Sequence, residues 1–205
     1  MKNIILIGAG GHAKSCIDVI ENNIKDIFVI SGLIDEQKSN KIINNKYKIL
    51  GKDIDLKSLK KKFDYAFVAF GHIKKFKLRE KMFKNLLSLG YKLPTIISKN
   101  AILSKNTVIG KGTIVMHGVI INSNVNIGDN CIINTHSTIE HDVSIGNNCH
   151  IAPGAILNGG VEVEDNCFIG SGSVIKENVK ILKNSIIGAN IFIKKNTRVN
   201  ELIKK

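Results

Sequence analysis

The chain has 205 residues, of which 43% are hydrophobic and 5% aromatic, and its formal net charge is +13. A chain of this length can form one large domain or two small ones, and its apolar content is enough to bury a core. The basic balance is typical of nucleic-acid binders and also of enzymes that handle polyanionic substrates. Because the positive charge is nearly all scattered lysine, without arginine clusters or interleaved aromatic residues, we expect no nucleic-acid partner.

Hydropathy and cysteine usage narrow the class of protein further. No segment approaches the ~20 consecutive apolar residues of a membrane span, and the apolar run over residues 3–7 is too short for a signal peptide. The four cysteines, at 16, 131, 149 and 167, contain no CxxC pair. We therefore predict neither disulfides nor a structural zinc site, and expect a cytoplasmic protein that does not bind membranes.

The N-terminal half alternates strand and helix patterns. In chain order we first predict a strand over residues 3–7, then the Gly-rich sequence Gly8-Ala9-Gly10-Gly11-His12-Ala13-Lys14 and a helix through about Ile24. A second strand follows over Ile27–Ile34 and ends in Asp35-Glu36, and a short helix follows over Leu56–Lys62. The last two elements are a strand over Tyr65–Phe70 that ends at Gly71 and a helix over Lys74–Leu89 that is stopped by Gly90. This order predicts a Rossmann-like βαβ domain with a small parallel sheet over residues 1–93.

The Gly-rich turn has two interpretations. Gly8-x-Gly10-x-x-Ala13 loosely matches a dinucleotide fingerprint, and Asp35 stands about where an acid would bind a ribose. A NAD-dependent dehydrogenase, however, needs the second half of a doubly wound sheet, and a repeat occupies that part of the chain. Glycines at a helix start let backbone N–H groups approach a phosphate. We favour a nucleotide diphosphate; the alternative is a tight turn without a ligand.

The C-terminal half is a repeat of period six. From Ile97 every sixth residue is aliphatic, and the series continues unbroken to Val199. The residue three after each aliphatic as far as Ile193 is Asn or Gly, except at His136 and Asp142. Asn and Gly tolerate left-handed backbone angles, so each unit predicts one short strand and one corner, and three units close a triangular coil. The cysteines at 131, 149 and 167, spaced 18 residues apart, would then stack in one interior column. We predict an all-β parallel β-helix of nearly six coils over residues 94–205.

Units such as Ile127-Gly128-Asp129-Asn130-Cys131 and Ile169-Gly170-Ser171-Gly172-Ser173 resemble the hexapeptide signature of left-handed β-helix acyltransferases. The resemblance spans residues 97–199. Members of that superfamily are usually trimers that bind acyl-CoA in clefts between neighbouring prisms. The resemblance therefore implies a left-handed β-helix, a homotrimer and an acyl-CoA co-substrate.

A narrower resemblance covers the N-terminal half. The Gly-Ala-Gly-Gly-His order near the start, the Asp-Glu after the second strand and the Gly after the third are similar to PglD-type sugar acetyltransferases, a family that includes NeuD-type sialic acid O-acetyltransferases. This implies an acetyl-CoA-dependent N-acetyltransferase of a nucleotide-linked 4-amino-4,6-dideoxy sugar for bacterial surface glycans; the alternative is sialic acid O-acetylation. In the amino-sugar members the small domain holds the nucleotide, which implies a binding site lined by Gly10, Gly11, His12, Asp35 and Gly71. Many relatives have Asp where this chain has Glu36, and Asn where it has His72.

His141-Asp142 lies at a predicted corner of the β-helix. Acetyl transfer to an amine needs a base, because a protonated amine has no lone pair, and a neutral histidine suits that task. A carboxylate on its other ring nitrogen would orient the imidazole. The resemblance implies that His141 is the general base and Asp142 its partner. It also implies that His150 lies near the acetyl group of the cofactor, where Gly159-Gly160 follows and the Gly159 N–H meets the thioester oxyanion.

Two alternatives remain at this point. His136 and His141 are five residues apart, as are two zinc ligands of β-helix carbonic anhydrases, but Asn100 stands where the third ligand should be. Three histidines are needed for such a zinc, so we predict no metal. A non-catalytic scaffold would leave both the His141-Asp142 corner and the Gly-rich turn unexplained, although any single histidine could simply pack or lie on the surface.

Overall fold

The computed structural model describes residues 1–22, 27–37, 41–73 and 76–204. It contains an N-terminal α/β unit followed by a β-helix. Within these ranges no helix combines the length and apolar character that crossing a bilayer requires.

The α/β unit is built on one twisted sheet. Its elements are β1 (Lys2–Ile7), α1 (Gly11–Glu21), β2 (Phe28–Ile34), β3 (Ile42–Ile43), β4 (Tyr47–Gly51), a 3₁₀ turn (Asp53–Asp55), α2 (Leu56–Leu59), β5 (Tyr65–Val68) and α3 (Phe76–Ser88). The strand order is β3-β4-β2-β1-β5. The predicted βαβ alternation is confirmed, because β1 pairs in parallel with both β2 and β5. The carboxyl ends of these three strands therefore meet at one edge of the sheet, where ligands of open α/β sheets bind.

The hairpin of β3 and β4 was not predicted. The two strands pair antiparallel across Asn44 and Asn45, which have φ of 51° and 53°. Two successive residues at positive φ make the tight hairpin turn that Asn favours. The helix predicted through about Ile24 ends at Glu21, and residues 23–26 lie outside the described residues. The same holds for Lys74 and Lys75 of the predicted third helix.

The β-helix has three faces of stacked parallel strands, each two residues long. The first face contains β6 (Ile96–Ile97), β9 (Ile114–Val115), β12 (Ile132–Ile133), β15 (His150–Ile151), β18 (Phe168–Ile169), β21 (Ile186–Ile187) and β23 (Leu202–Ile203). The second contains β7 (Ile102–Leu103), β10 (Ile120–Ile121), β13 (Thr138–Ile139), β16 (Ile156–Leu157), β19 (Val174–Ile175) and β22 (Phe192–Ile193). The third contains β8 (Val108–Ile109), β11 (Asn126–Ile127), β14 (Ser144–Ile145), β17 (Glu162–Val163) and β20 (Lys180–Ile181). This is the predicted left-handed parallel β-helix.

The corners confirm the conformational argument made from the sequence. Every corner residue from Gly112 to Asn190 has positive φ. The two that are neither Asn nor Gly, His136 and Asp142, adopt the same left-handed region at 57° and 61°. His and Asp are among the few other residues enriched there. The fold therefore accepts these two side chains at corners without changing its path.

The predicted register fails at the last coil. Val199, the last member of the aliphatic series, is 53% exposed. Ile203 pairs with Ile187 instead, only 16 residues away rather than 18. Within the described residues nothing stacks above this coil, so only one neighbour imposes its register on it and a shorter path is possible.

Burial distinguishes the three faces. The aliphatic series from Val115 to Ile193 fills the interior together with the three cysteines at 131, 149 and 167, which are free and fully buried, as predicted. The outward residues of the first face, such as Ile114 and Ile132, are also buried, because the α/β unit covers that face. Lys92 pairs beside β5 and the first β-helix strand begins at Ile96. The domain boundary between residues 93 and 94 stays a prediction.

Candidate active site

His141 and Asp142 occupy the corner that follows β13. The Nδ1 atom of His141 lies 2.8 Å from Oδ2 of Asp142, and Asn124 donates to the other carboxylate oxygen at 3.2 Å. Both contacts lower the pKa of Asp142, and the hydrogen bond with His141 has the larger effect. The carboxylate therefore stays ionised. A carboxylate can only accept. A neutral His141 therefore donates from Nδ1 and carries its lone pair on Nε2.

Gly159 lies directly against the His141 ring, one coil further along. A Cβ atom at Gly159 would lie 2.6 Å from Cε1 and 2.7 Å from Nε2 of that ring. Gly160 donates its N–H to the His141 carbonyl at 2.9 Å and has φ of +68°. The N–H of Gly159 has no acceptor within the described part of the chain. The structure thus brings His141, Asp142 and the Gly159–Gly160 backbone together at one exposed corner.

The predicted nucleotide-binding residues meet at the carboxyl edge of the sheet. The Asp35 carboxylate accepts hydrogen bonds from the N–H groups of Ala9, at 2.8 Å, and Gln37, at 3.0 Å. It therefore fixes the Gly-rich turn. Gly10 is the N-cap of α1 without a side-chain cap, and a Cβ at Gly10 or Gly11 would meet no atom of the described residues within 4 Å. Open space at a helix N-terminus suits a phosphate.

His12 closes the other side of this edge. A Cβ at Gly71 would lie 3.8 Å from Cγ of His12, so the Gly-rich turn touches the loop that follows β5. Burial, followed by the charge of Arg79, lowers the pKa of His12 to about 3. Its Nε2 is buried, and no described residue forms a hydrogen bond with it. Because unpartnered buried nitrogens are costly, His12 is where a bound ligand or water would be stabilised.

His150 does not meet His141 within one chain. It points outward from the first face into the α/β unit, whereas His141 lies at the corner between the second and third faces. Its Nδ1 donates to the His72 carbonyl at 2.8 Å, and its Nε2 lies 3.2 Å from the Asn134 amide nitrogen. Burial lowers the pKa of His150 to about 4. It is a neutral imidazole whose tautomer is set by these two contacts.

Two residues of this region escaped the sequence analysis. His72 was noted only as a departure from relatives, yet its ring lies 5.7 Å from that of His150, and burial lowers its pKa to about 3. Arg79 was not singled out. It shares a helical stripe with Met82, Phe83 and Leu86, at the spacing of a buried helix face. An arginine on an otherwise apolar helix face was the sequence signal that could have identified it.

The metal interpretation finds no support in the geometry. The described residues contain no group of three or more His, Cys, Asp or Glu side chains that could hold a metal ion. The ring of His136 instead packs over Gly118, where a Cβ would lie 2.6 Å from it.

Family comparisons agree with both halves of the chain. Residues 3–86 match the PglD N-terminal domain, and four overlapping windows, at 106–141, 124–159, 142–177 and 160–195, match the bacterial transferase hexapeptide of six repeats. The chain therefore carries a PglD N-terminal domain followed by bacterial transferase hexapeptide repeats. Its combination of a PglD N-terminal domain and hexapeptide repeats is the one expected from the sequence. No curated protein sequence matches the chain significantly.

Solved structures of hexapeptide transferases extend this likeness over the whole chain. A perosamine N-acetyltransferase variant from Caulobacter crescentus, in which one histidine is replaced by asparagine, was solved with CoA and GDP-perosamine; it is 28% identical with a TM-score of 0.91, over 98% of this chain and 93% of that one. The acetyltransferase domain of PglB from Neisseria gonorrhoeae is 25% identical with a TM-score of 0.90, over 98% and 96% of the two chains. That domain was also solved with acetyl coenzyme A, at 26% identity and a TM-score of 0.84, over 94% and 92%.

Proposed function

We propose that this protein is an acetyl-CoA-dependent N-acetyltransferase that acts on the amino group of a nucleotide-linked 4-amino-4,6-dideoxy sugar. The observation that carries the proposal is the His141–Asp142 pair with the Gly159 backbone beneath its ring. Similar structures bind CoA with GDP-perosamine, and acetyl coenzyme A. UDP or a similar nucleotide would bind at the Gly-rich turn, and the product would serve bacterial surface glycan biosynthesis.

The chemistry follows from the position of the lone pair on His141. The amine nitrogen bonds to the thioester carbonyl carbon and its proton passes to Nε2. The Gly159 N–H would donate a hydrogen bond to the oxyanion. One such donor contributes a factor of about 10²–10³ to the rate. The C–S bond then breaks, and the departing thiolate of CoA takes the proton. Asp142 holds the ring and stabilises the imidazolium.

No acetyl-enzyme is needed in this reaction. Cys131, Cys149 and Cys167 are fully enclosed in the prism. Burial raises the pKa of the Cys149 thiol well above its usual range and that of Cys16 to about 12. Buried thiols with a raised pKa, such as those of Cys16 and Cys149, are inert, and Cys131 and Cys167 are closed off from substrate by the prism. We infer direct transfer in a ternary complex, in the cytoplasm, where thiols stay reduced.

A homotrimer would complete the site. The outward residues of the second face are apolar or Thr along its whole length, and three of them, Ile102, Ile120 and Phe192, are 66%, 38% and 53% exposed. An exposed apolar strip of this kind marks an interaction surface. The corner that bears His141 borders the strip, so a second copy packed there would lie beside it.

The separation of His141 from His150 supports the same assembly. We infer that the site is shared, with His141, Asp142, Gly159 and Gly160 from one copy and the α/β unit with His150 from its neighbour. Acetyl-CoA would then contact His150 and the Gly159–Gly160 backbone in the cleft between two prisms. The nucleotide would contact the set on the α/β unit, Gly10, Gly11, His12, Asp35 and Gly71.

The experiment is turnover by purified protein with acetyl-CoA and a panel of acceptors. We expect release of CoA thiol with a UDP-, GDP- or dTDP-linked 4-amino sugar, and none with free sialic acid. Turnover of sialic acid alone would favour the O-acetyltransferase alternative. No turnover with any acceptor, together with no binding of acetyl-CoA, would favour the scaffold.

A further inference from the structure

Arg79 is a fully buried arginine that joins the two halves of the molecule. Its Nη1 donates to the carbonyls of Val68 and Phe70, both at 2.7 Å. Its Nε donates to the Asn130 carbonyl of the β-helix at 3.3 Å. The side chain has no exposed surface. One guanidinium therefore links two carbonyls, at the end of β5 and just after it, to a corner of the β-helix.

This cation is buried away from the carboxylates of the described residues. Of the residues that the structure describes, no carboxylate forms an ion pair with Arg79, and its Nη2 has no hydrogen-bond partner. Burial lowers its pKa to about 10, so it remains charged at neutral pH. The ionisable groups that it influences are the thiols of Cys16 and Cys131 and the imidazoles of His12, His72 and His150. Burying an unpaired charge is expensive, and an apolar side chain of similar volume is often more stable.

The β-helix end of this connection is rigid. A ladder of asparagine side chains runs along one corner, in which the amide nitrogen of each residue donates to the amide oxygen of the next; its members are Asn130, Asn148, Asn166, Asn184 and Asn200, at 2.9, 3.1, 3.1 and 2.8 Å. Asn130 is the acceptor end, and its amide oxygen has no partner in the part of the chain that the structure describes. The electronegative end of an aligned amide chain therefore lies at the residue that Arg79 contacts, which partly offsets the burial of the cation.

The other end of the connection is the loop that forms the acceptor pocket. Immediately after Phe70, Gly71 packs against the His12 ring and the His72 carbonyl accepts the hydrogen bond of His150. An isolated loop of this kind would fluctuate, because its glycine adds freedom. With Arg79 in place, the carbonyls on either side of Ala69 are held by a single group.

We propose that Arg79 is a positioning residue that fixes the loop of residues 69–72 against the β-helix and thereby shapes the pocket for the nucleotide-linked amino sugar. This inference rests on the proposed function for its ligand, and on the contacts of Arg79 for its mechanism. The Gly159–Gly160 side of the acetyl-CoA cleft lies outside the reach of these contacts, and only His150 meets this loop, through the His72 carbonyl.

The test compares three variants of the full chain. Arg79→Met should raise the acceptor KM by about 10- to 100-fold, the scale of a 1 Å misplacement, and raise the acetyl-CoA KM by a smaller factor, because only His150 on the acetyl-CoA side meets the loop. Arg79→Lys, which retains the charge but not the forked hydrogen bonds, should recover part of the loss. Leu86→Ala is the matched control, because it removes a fully buried side chain from the same helix and should lower stability without separating the two KM values.

Hydrogen–deuterium exchange provides a readout that does not depend on turnover. Amides of residues 69–73 should exchange faster in Arg79→Met than in Leu86→Ala, when each variant is measured at the same interval below its own Tm. Equal exchange in the two variants would overturn the proposal, as would an unchanged acceptor KM. If Arg79→Met does not fold, the same comparisons on Arg79→Lys decide. Absence of turnover in the wild type, with faster exchange in the variant, would contradict the proposed function and leave the positioning role standing.

Discussion

Gly159→Ala tests whether the His141 ring must occupy the place where the structure puts it. The new Cβ would lie 2.6–2.7 Å from two ring atoms, about 1 Å inside van der Waals contact. The backbone of Gly159 is not at positive φ, so alanine causes no backbone strain. The His141 side chain is 63% exposed and can swing outward, so the stability cost should be small. Displacing a catalytic group by about 1 Å can cost about 10²-fold in rate.

We therefore expect kcat to fall about 100-fold with an unchanged Tm, measured by release of CoA thiol and by thermal unfolding. The Gly159 N–H survives in the variant, so the loss reports on the ring and not on the oxyanion donor. Ser123→Ala is the control, because it changes the same column two coils earlier, on the other side of His141. Adding Gly159→Ala to His141→Ala should cost little more than His141→Ala alone, since both act through one group. Wild-type turnover by Gly159→Ala would refute the reasoning.

Three further predictions follow from the same geometry. His141→Ala should lower kcat by a factor of about 10²–10⁴, and its kcat should recover partly toward alkaline pH, where more of the acceptor amine is neutral. Asp142→Asn should lower kcat by less, and a greater loss of kcat than with His141→Ala would contradict the assigned roles. Asp35→Ala should raise the acceptor KM and not the acetyl-CoA KM, because the Gly-rich turn loses its carboxylate acceptor; equal changes in both would count against a nucleotide site there. Ile120→Glu combined with Ile156→Glu should dissociate the proposed trimer, as measured by light scattering, and a wild type that is monomeric at micromolar concentration would disprove the assembly.

The fold of the second half could be read from the sequence because its rules are local. One aliphatic in six residues, with Asn or Gly at each corner, specifies a strand and a left-handed turn without reference to any distant residue. For the same reason the His141 corner could be located, since its Asp142 neighbour is adjacent in the chain. The series was over-extended only at Val199, where a terminal coil has a neighbour on one side and its length is not imposed.

What the sequence left undecided depends on contacts between distant segments. Outward residues of the first and second faces look equally apolar, as at Ile132 and Ile120, yet one is buried under the α/β unit and the other is exposed. That docking places His150 in the unit and away from His141, and it gives the buried Arg79 its carbonyl partners. Burial of an outward side chain is set by what packs over it, and the order of residues along the strand does not carry that information. The sequence by itself determined the β-helix and the position of its His141–Asp142 corner, and only the tertiary structure decided what surrounds each candidate residue.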